Sequence, residues 1–545
     1  MRGLPRARWL AGAAVLAVSL AACGGGGGAG GGSTPGAAAA TGGTFSVEIC
    51  EPKSLVPTNT AESCGSQVIN ALFTPLVTYD PTSFEPKLTG LTKSITTTDN
   101  TTWTITLNSG WKFHDGTPVT SDSFIEAWNF AALGKNAQDN NYFFEKFAGY
   151  ADLNPASGEP KATQLSGLKK VSDTEFTVTL NGPYSAFKGT LGYSAYFPMP
   201  KAAFQDIKKY NEAPIGNGPF QMDGTWNHDQ SIKVKAFPDY KGTKPKVDGI
   251  DFKIYQKLDT AYNDLLANNL DIMTSIPTSQ IASAPQQLGN RYQESPNSVF
   301  QFLGIPTYDT KYGKVEIRKA ISMAIDRPAI IKTIFNGSQQ PADDFVSPVI
   351  PGYRKGACGE SCTFNPQKAQ QLLAAAGGLA GNSMTITYNA DGGHKDWVDA
   401  ACNQIQQNLK VTCTGVPKEK FSVMLKDLKA AEQAKTSFGP FRLGWIMDYP
   451  TMEDYLAPLY GTGGSSNYSG YSNKEFDALV TKGNEAKTEQ EAIKFYQQAD
   501  DILAKDLPVI PLWYGKNRLA ISTKVANVKL DAFSNVIYTD VTVKK

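Results

Sequence analysis

Residues 101–122 read Thr101-Thr102-Trp103-Thr104-Ile105-Thr106-Leu107, a short polar link, and then Trp111-Lys112-Phe113-His114-Asp115-Gly116-Thr117-Pro118-Val119-Thr120-Ser121-Asp122. The first part alternates, with Trp103, Ile105 and Leu107 on one face, which is the period of a half-buried strand. In the second part Trp111 and His114 are read as fixing a turn. The same alternation returns at Phe176, Val178 and Leu180, at Ile232, Val234 and Ala236, and at Ile250, Phe252 and Ile254. These are strands of antiparallel or mixed sheets with one face on a core.

Helices punctuate these strands. Asn365-Pro366 has the form of an N-cap followed by a first-turn proline; Ala369, Leu372, Leu373 and Ala376 make one apolar face, and Gly377 is the stop. Thr488 and Glu491 have capping-box spacing, with Phe495, Tyr496, Ala499, Ile502 and Leu503 as the buried stripe that follows. Ile317, Ile321 and Ala324 form another stripe that ends near Asp326. Strands and helices are thus mixed throughout, and the expected class is α/β. No internal repeat is visible. The chain has 545 residues, too many for one hydrophobic core, so two or three lobes are expected.

The first residues make an export signal. Arg2, Arg6 and Arg8 precede an apolar run from Trp9 to Ala22, which is shorter than the roughly 20 residues of a membrane span. Leu20-Ala21-Ala22-Cys23 resembles a bacterial lipobox, in which the cysteine sulfur takes a diacylglyceryl group and the chain is cut before it. Residues 1–22 are therefore expected to be removed. Residues 23–43 are read as the lipidated Cys23 and a flexible Gly-rich tether that cannot bury a core. Past residue 22 the formal charge is −2, from 49 basic and 51 acidic side chains. That gives no basic excess to suggest nucleic acid.

Six cysteines follow: Cys50, Cys64, Cys358, Cys362, Cys402 and Cys413. An even count in an exported chain suggests disulfides. The three nearest-neighbour pairings are expected, because each closes a short local loop. Cys358-Gly-Glu-Ser-Cys362 has a spacing that some metals accept, but His114, His228 and His394 are the only histidines, and no metal or cofactor is expected. Catalytic patterns are missing as well. There is no Gly-x-Ser-x-Gly elbow and no His-Glu-x-x-His, and no Gly-Lys pair is followed by Ser or Thr. A carboxylate-pair hydrolase stays open on composition, but the expectation is a binding protein and not an enzyme.

A series of blocks then acquires a common meaning. They are Leu72-Phe73-Thr74-Pro75-Leu76-Val77-Thr78-Tyr79-Asp80; the 103–122 stretch; Gly216-Asn217-Gly218-Pro219-Phe220; Val315 to Asp326 with Arg327; the Asn365–Gly377 helix; Gly444-Trp445-Ile446-Met447-Asp448-Tyr449-Pro450; Tyr471-Ser472-Asn473 with Phe476-Asp477; and Pro508 to Trp513. In that order they resemble the extracellular solute-binding proteins of family 5, the oligopeptide- and dipeptide-binding components of ABC importers. Asn108 stands where the family usually has a basic residue after the strand.

The resemblance implies a two-lobed periplasmic-binding-protein fold of type II, cluster C, with a hinge and an extra inserted domain. Lobe I would be 44–85, 206–300 and 507–545, the insert 86–205, and lobe II 306–506. It implies a peptide captured between the lobes and handed to a membrane permease, by a monomer anchored to the outer face of the cell membrane, with some molecules shed. Asp448 would receive the peptide's terminal ammonium, since a buried ammonium needs a carboxylate. Main-chain groups around Gly444 would pair with the peptide as an added strand. Arg442 would take a terminal carboxylate, and Trp445 and Tyr449 would wall the cleft. Gly216 and Gly218 would serve the backbone. Asp448 as a helix cap or a member of a structural ion pair is the competing reading. The same fold also serves oligosaccharide, opine, nickel-complex or haem binders and secreted sensors, and fold alone does not separate them.

Overall fold

The computed structural model describes residues 42–544 apart from 82 and 156; Cys23, the signal and nearly all of the tether lie outside the described residues. The strands that frame the molecule are β1 (Thr44–Ile49), β2 (Thr92–Thr97), β3 (Thr102–Leu107), β4 (Leu168–Ser172), β5 (Glu175–Thr179), β6 (Phe220–Met222) and β7 (Ser231–Ala236). They continue as β8 (Gly249–Ile254), β9 (Ile272–Met273), β10 (Tyr292–Gly304), β11 (Ser383–Asn389), β12 (Thr412–Lys418), β13 (Phe441–Trp445) and β14 (Val509–Ile521). The helices used below are α1 (Val315–Met323), α2 (Pro366–Ala375), α3 (Glu453–Tyr460) and α4 (Glu489–Asp506).

One mixed sheet runs in the order β12-β11-β13-β10-β14-β9-β1-β8-β7-β6. β1 lies parallel to β8 with Val47 opposite Phe252, while β8 and β7 are antiparallel with Phe252 opposite Ile232. At the other end β11 and β12 are parallel. The long antiparallel pair β10–β14 carries the ladder from one half to the other. Tyr292 and Ala520 pair at the β9 side, and Gly304 and Val509 pair at the far end. Both strands lose register between Pro296 and Phe300, and again between Gln301 and Phe302. Proline removes a ladder donor, which suits such a break.

A separate four-stranded sheet, β2-β3-β5-β4, is antiparallel throughout. The alternation expected in β3 is met, since Trp103, Ile105 and Leu107 are all buried. The next stretch is a hairpin. Val119 N–H donates to Trp111 O at 2.9 Å, and the Asp115 carboxylate accepts from the Thr117 main chain at 2.9 Å.

His114 fastens this hairpin to the glycine block. Gly216 N–H donates to His114 Nδ1 at 3.0 Å, and His114 Nε2 lies 3.2 Å from Gly218 O. Nδ1 therefore accepts and Nε2 carries the proton. Burial holds this imidazole down at about pKa 4. The glycines have a second reason to be there. A Cβ on Gly216 would sit 1.9 Å from Leu72 O, and one on Gly218 would sit 2.5 Å from Leu72 C. Between them, Asn217 trades side-chain bonds with the Thr74 main chain at 2.9 and 3.0 Å. Three distant blocks of sequence thus meet at one joint.

The Val315–Arg327 block has a related explanation. Arg318 and Arg327 are buried, and their hydrogen bonds go mainly to main-chain carbonyls. Arg318 binds Asp506 O and Leu507 O at the C-terminal end of α4, together with Tyr312 O and Gly313 O. Arg327 binds Pro511 O at 2.7 Å and Ser322 Oγ at 2.8 Å. Asn365 caps α2 through Lys368 N as expected, with Pro366 in the first turn and Gly377 at a positive φ beyond its end. Thr488 caps α4, but Glu491 reaches back to Lys487 N and not to the cap residue's own N–H. The three expected disulfides are present: Cys50–Cys64, Cys358–Cys362 and Cys402–Cys413, with Cα separations of 5.5, 5.7 and 4.9 Å. Among the described residues, no helix is long and apolar enough to cross a membrane.

Candidate functional site

The Gly444-Trp445-x-x-Asp448 segment leaves the sheet at Trp445, the last residue of β13, where it still faces Phe300 of β10. Met447 is buried and anchors the exit. The loop then turns into α3, whose first two residues are Glu453 and Asp454, both 1% exposed. Acids at this position gain from the positive end of the helix dipole. Asp454 also shapes the loop: its Oδ2 accepts from Trp445 Nε1 and from the Asp448 main chain, each at 3.1 Å.

A cavity of about 270 Å³ opens beside this loop. Other walls come from Tyr142, Phe143, Glu145, Lys146 and Phe147 and from Tyr184, Phe187, Thr190 and Tyr196. Glu453 closes one side by gathering three donors. Tyr184 and Tyr449 hydroxyls bind its Oε2 at 2.9 and 2.8 Å, and Lys146 Nζ lies 3.2 Å from Oε1. The same ammonium rests 4.1 Å from the centre of the Tyr184 ring, a cation–π contact. Tyr142 reaches Asp448 Oδ1 at 3.4 Å.

The electrostatics follow from burial. Asp448 is pushed up to about 7 by loss of water, against the pull of the Tyr142 hydroxyl. Asp454 is driven well above the usual carboxyl range by burial and then by the Asp448 charge. The walls are aromatic and the floor is acidic, with one ammonium already committed to Glu453. The arrangement suits a cation with apolar substituents.

Of the residues singled out in the sequence, Trp445, Asp448 and Tyr449 line this cavity, while Arg442 and Gly444 are not among its lining residues. Gly444 sits opposite Gln301 within β13–β10, and a Cβ there would lie 3.1 Å from Phe300 O. β13 meets β11 only at Phe441, opposite Thr387. Arg442 donates to Asn389 Oδ1 at 3.2 Å, and its guanidinium stands 5.5 Å from the Phe421 ring centre. Tyr142, Lys146, Tyr184, Glu453 and Asp454 carry much of the site and were not singled out. The available signal was the Glu453-Asp454 pair opening a helix just after the Asp448 loop.

The model of the bacterial extracellular solute-binding proteins, family 5, matches residues 88–467, which contain both the four-stranded sheet and this cavity. The chain belongs to that family. Its members bind solutes outside the cytoplasm. Among curated relatives of this family 5 chain, the dipeptide-binding protein DppE of Bacillus subtilis is 27% identical, with 76% of each chain covered. The oligopeptide-binding protein OppA of the same organism is 25% identical over 85% of this chain and 86% of its own. The unliganded open form of the periplasmic murein tripeptide-binding protein MppA superposes with a TM-score of 0.81 at 22% identity, covering 93% of this chain and 98% of MppA. The fold is the two-lobed one of periplasmic binding proteins.

Proposed function

We propose that this protein is the solute receptor of an ABC importer, capturing peptides by their terminal ammonium and delivering them to a membrane permease. The observation that carries the reading is Asp448: a carboxylate on the wall of an aromatic cavity, raised to about 7 by burial, which a ligand ammonium would neutralise. The peptide-binding relatives support it. In this reading a peptide adds as a strand along β13 beyond Phe441, and Arg442 takes the far carboxylate of ligands long enough to reach it. Lobe I comprises 44–85, 206–300 and 507–545, the insert 86–205, and lobe II 306–506. The protein works as a monomer, catalyses no reaction, and is held to the outer face of the membrane through a lipid on Cys23.

The test is thermal stabilisation by a mixed pool of free-amine peptides. A ligand at about 100 times its Kd adds roughly 2.7 kcal/mol. N-acetylated peptides should give little, and Asp448→Ala should weaken binding on the order of 100-fold, as loss of one partner of a buried ion pair does. Equal stabilisation by acetylated peptides would remove Asp448 from this role. Stabilisation by an oligosaccharide or haem alone would move the ligand to another class, and a peptide product growing with time would make the protein an enzyme. Cys23→Ser should release the protein from membranes, and unchanged retention would contradict the anchor.

A further inference from the structure

Trp111 opens the hairpin that closes at Val119. It is 2% exposed, yet its Nε1 has no hydrogen-bond partner among the described residues. A buried N–H without an acceptor is costly to keep, so an acceptor is expected against it. The indole lines a cavity of about 330 Å³ that shares no lining residue with the Asp448 cavity. Gly90 lines the same cavity, and a Cβ there would lie 3.3 Å from Trp111 Cζ2. Cζ2 is on the Nε1 side of the indole, so a side chain at position 90 would crowd the approach to the donor, and glycine leaves it open. Thr78, Gly90 and Thr243 are exposed and form the mouth.

The walls decide what fits. Phe73, Tyr79, Tyr240, Phe533 and Tyr538 surround the indole, which favours a flat, apolar body. Trp111 and Tyr240 meet edge to face, with ring centres 5.5 Å apart. Two of the phenols and the acid already have partners. The Tyr240 hydroxyl lies 2.8 Å from Thr74 Oγ1, and Tyr79 donates to Gly189 O at 2.6 Å. Asp531 Oδ1 accepts from the main chain of Phe533 and Asn535 at 2.9 and 2.8 Å, and Oδ2 faces the Asn535 amide at 3.4 Å. That carboxylate therefore holds its own turn. No Lys or Arg is among the lining residues. The cavity thus offers one buried donor, no cation, and an acid that is already engaged.

We propose that this cavity is a second ligand site, which takes a small neutral aromatic molecule with a hydrogen-bond acceptor placed on Trp111 Nε1. Its volume is at the small end of ligand pockets, which suits one or two fused rings. The site does not depend on the peptide-receptor reading, and the two can fail separately.

The experiment follows the tryptophan indole N–H signals of the full chain by NMR during titration with quinoline, a neutral two-ring molecule whose ring nitrogen is an acceptor. The signal missing from Trp111→Phe identifies the donor. Quinoline should move it downfield, with a Kd on the order of 0.1–1 mM for a ligand of this size. N-methylquinolinium has the same rings but no acceptor lone pair, and should bind about tenfold more weakly or worse. Trp111→Phe should weaken quinoline by a similar factor. Gly90→Ala, at an exposed position without a positive φ, should weaken it several-fold and tests the site even if Trp111→Phe fails to fold. Saturating alanine tripeptide should leave the quinoline shift in place. A Trp111 signal that quinoline does not move would overturn the proposal, whether a water holds the N–H or the Tyr240 ring covers it. Equal binding of N-methylquinolinium would overturn it as well, by making Asp531 the attraction. So would unchanged quinoline binding in the folded variants, or displacement of quinoline by the peptide, which would merge the two sites.

Discussion

His114 and His228 show how opposite surroundings bias the same side chain. His114 accepts at Nδ1 and is half-buried, which holds it down at about 4. In the unfolded chain it titrates near 6.5. Its folded pKa is the lower of the two, so its contribution to stability is complete above pH 6.5 and is lost as pH falls towards 4. Between pH 7 and 4.5 that amounts to about 2 kcal/mol. Urea unfolding at the two pH values should show this loss in the wild type and lack that share of it in His114→Gln. His228 is exposed, with Glu51 2.7 Å from Nδ1 and Glu212 2.9 Å from Nε2. Both ring nitrogens donate, and these carboxylates raise its pKa. Its small contribution is present below 6.5 and is lost as pH rises through the raised value. NMR titration of the ring carbons should find the two histidines on opposite sides of 6.5; coincident midpoints would refute both assignments. At this scale the sequence reading was partial. Asp448, Trp445 and Tyr449 were legible because they sit together in one loop. Tyr142, Lys146 and Tyr184 lie some 300 residues from Glu453 and Asp448, a distance that no local spacing can bridge.

Among the elements, those with local causes were the readable ones. The α2 cap, its proline and its glycine stop all lie within a few residues of each other, and β3 shows its buried face in alternation. Asn365→Ala should cost about 1 kcal/mol of stability, as the loss of a helix cap does, with little effect on ligand affinity. In the sequence, Arg318 and Arg327 carry no sign of the partners they bind. Their work is hidden because part of the carbonyl set they satisfy, at residues 506–511, lies almost 200 positions away. Arg318→Met removes charge-assisted bonds to the last turn of α4 and leaves those carbonyls buried. It should cost about 3 kcal/mol in urea unfolding, and a loss below about 1 kcal/mol would mean that the carbonyls find other partners. Arg318→Lys should recover only part of this, because an ammonium cannot copy the planar fork.

Across the whole molecule, the β10–β14 pair is the link through which the two halves of the large sheet communicate. Its ladder is regular from Tyr292 to Pro296, breaks between Pro296 and Phe300, and shifts again between Gln301 and Phe302. A segment that has already given up its regular pairing can absorb backbone rotation without breaking further ladder bonds, whereas Phe302 to Gly304 beyond it are buried. Motion on ligand capture should therefore concentrate at 296–300 as a rigid-body change of one half against the other. Two measurements check this together. Saturating peptide should lower the radius of gyration in solution scattering at unchanged mass. In hydrogen exchange, the amides from 297 to 299 should change protection while those of β1 and β8 stay as they were. The double change Cys402→Ala with Cys413→Ala serves as a control. Its bridge closes a loop of 11 residues away from the cavity, so it should lower stability by about 2–3 kcal/mol and leave the compaction intact. Compaction without any change at 297–299 would place the hinge elsewhere. Tight peptide binding with no compaction would mean that the site forms without closure, and the ordered break in the central ladder would then serve only to fit the two halves together.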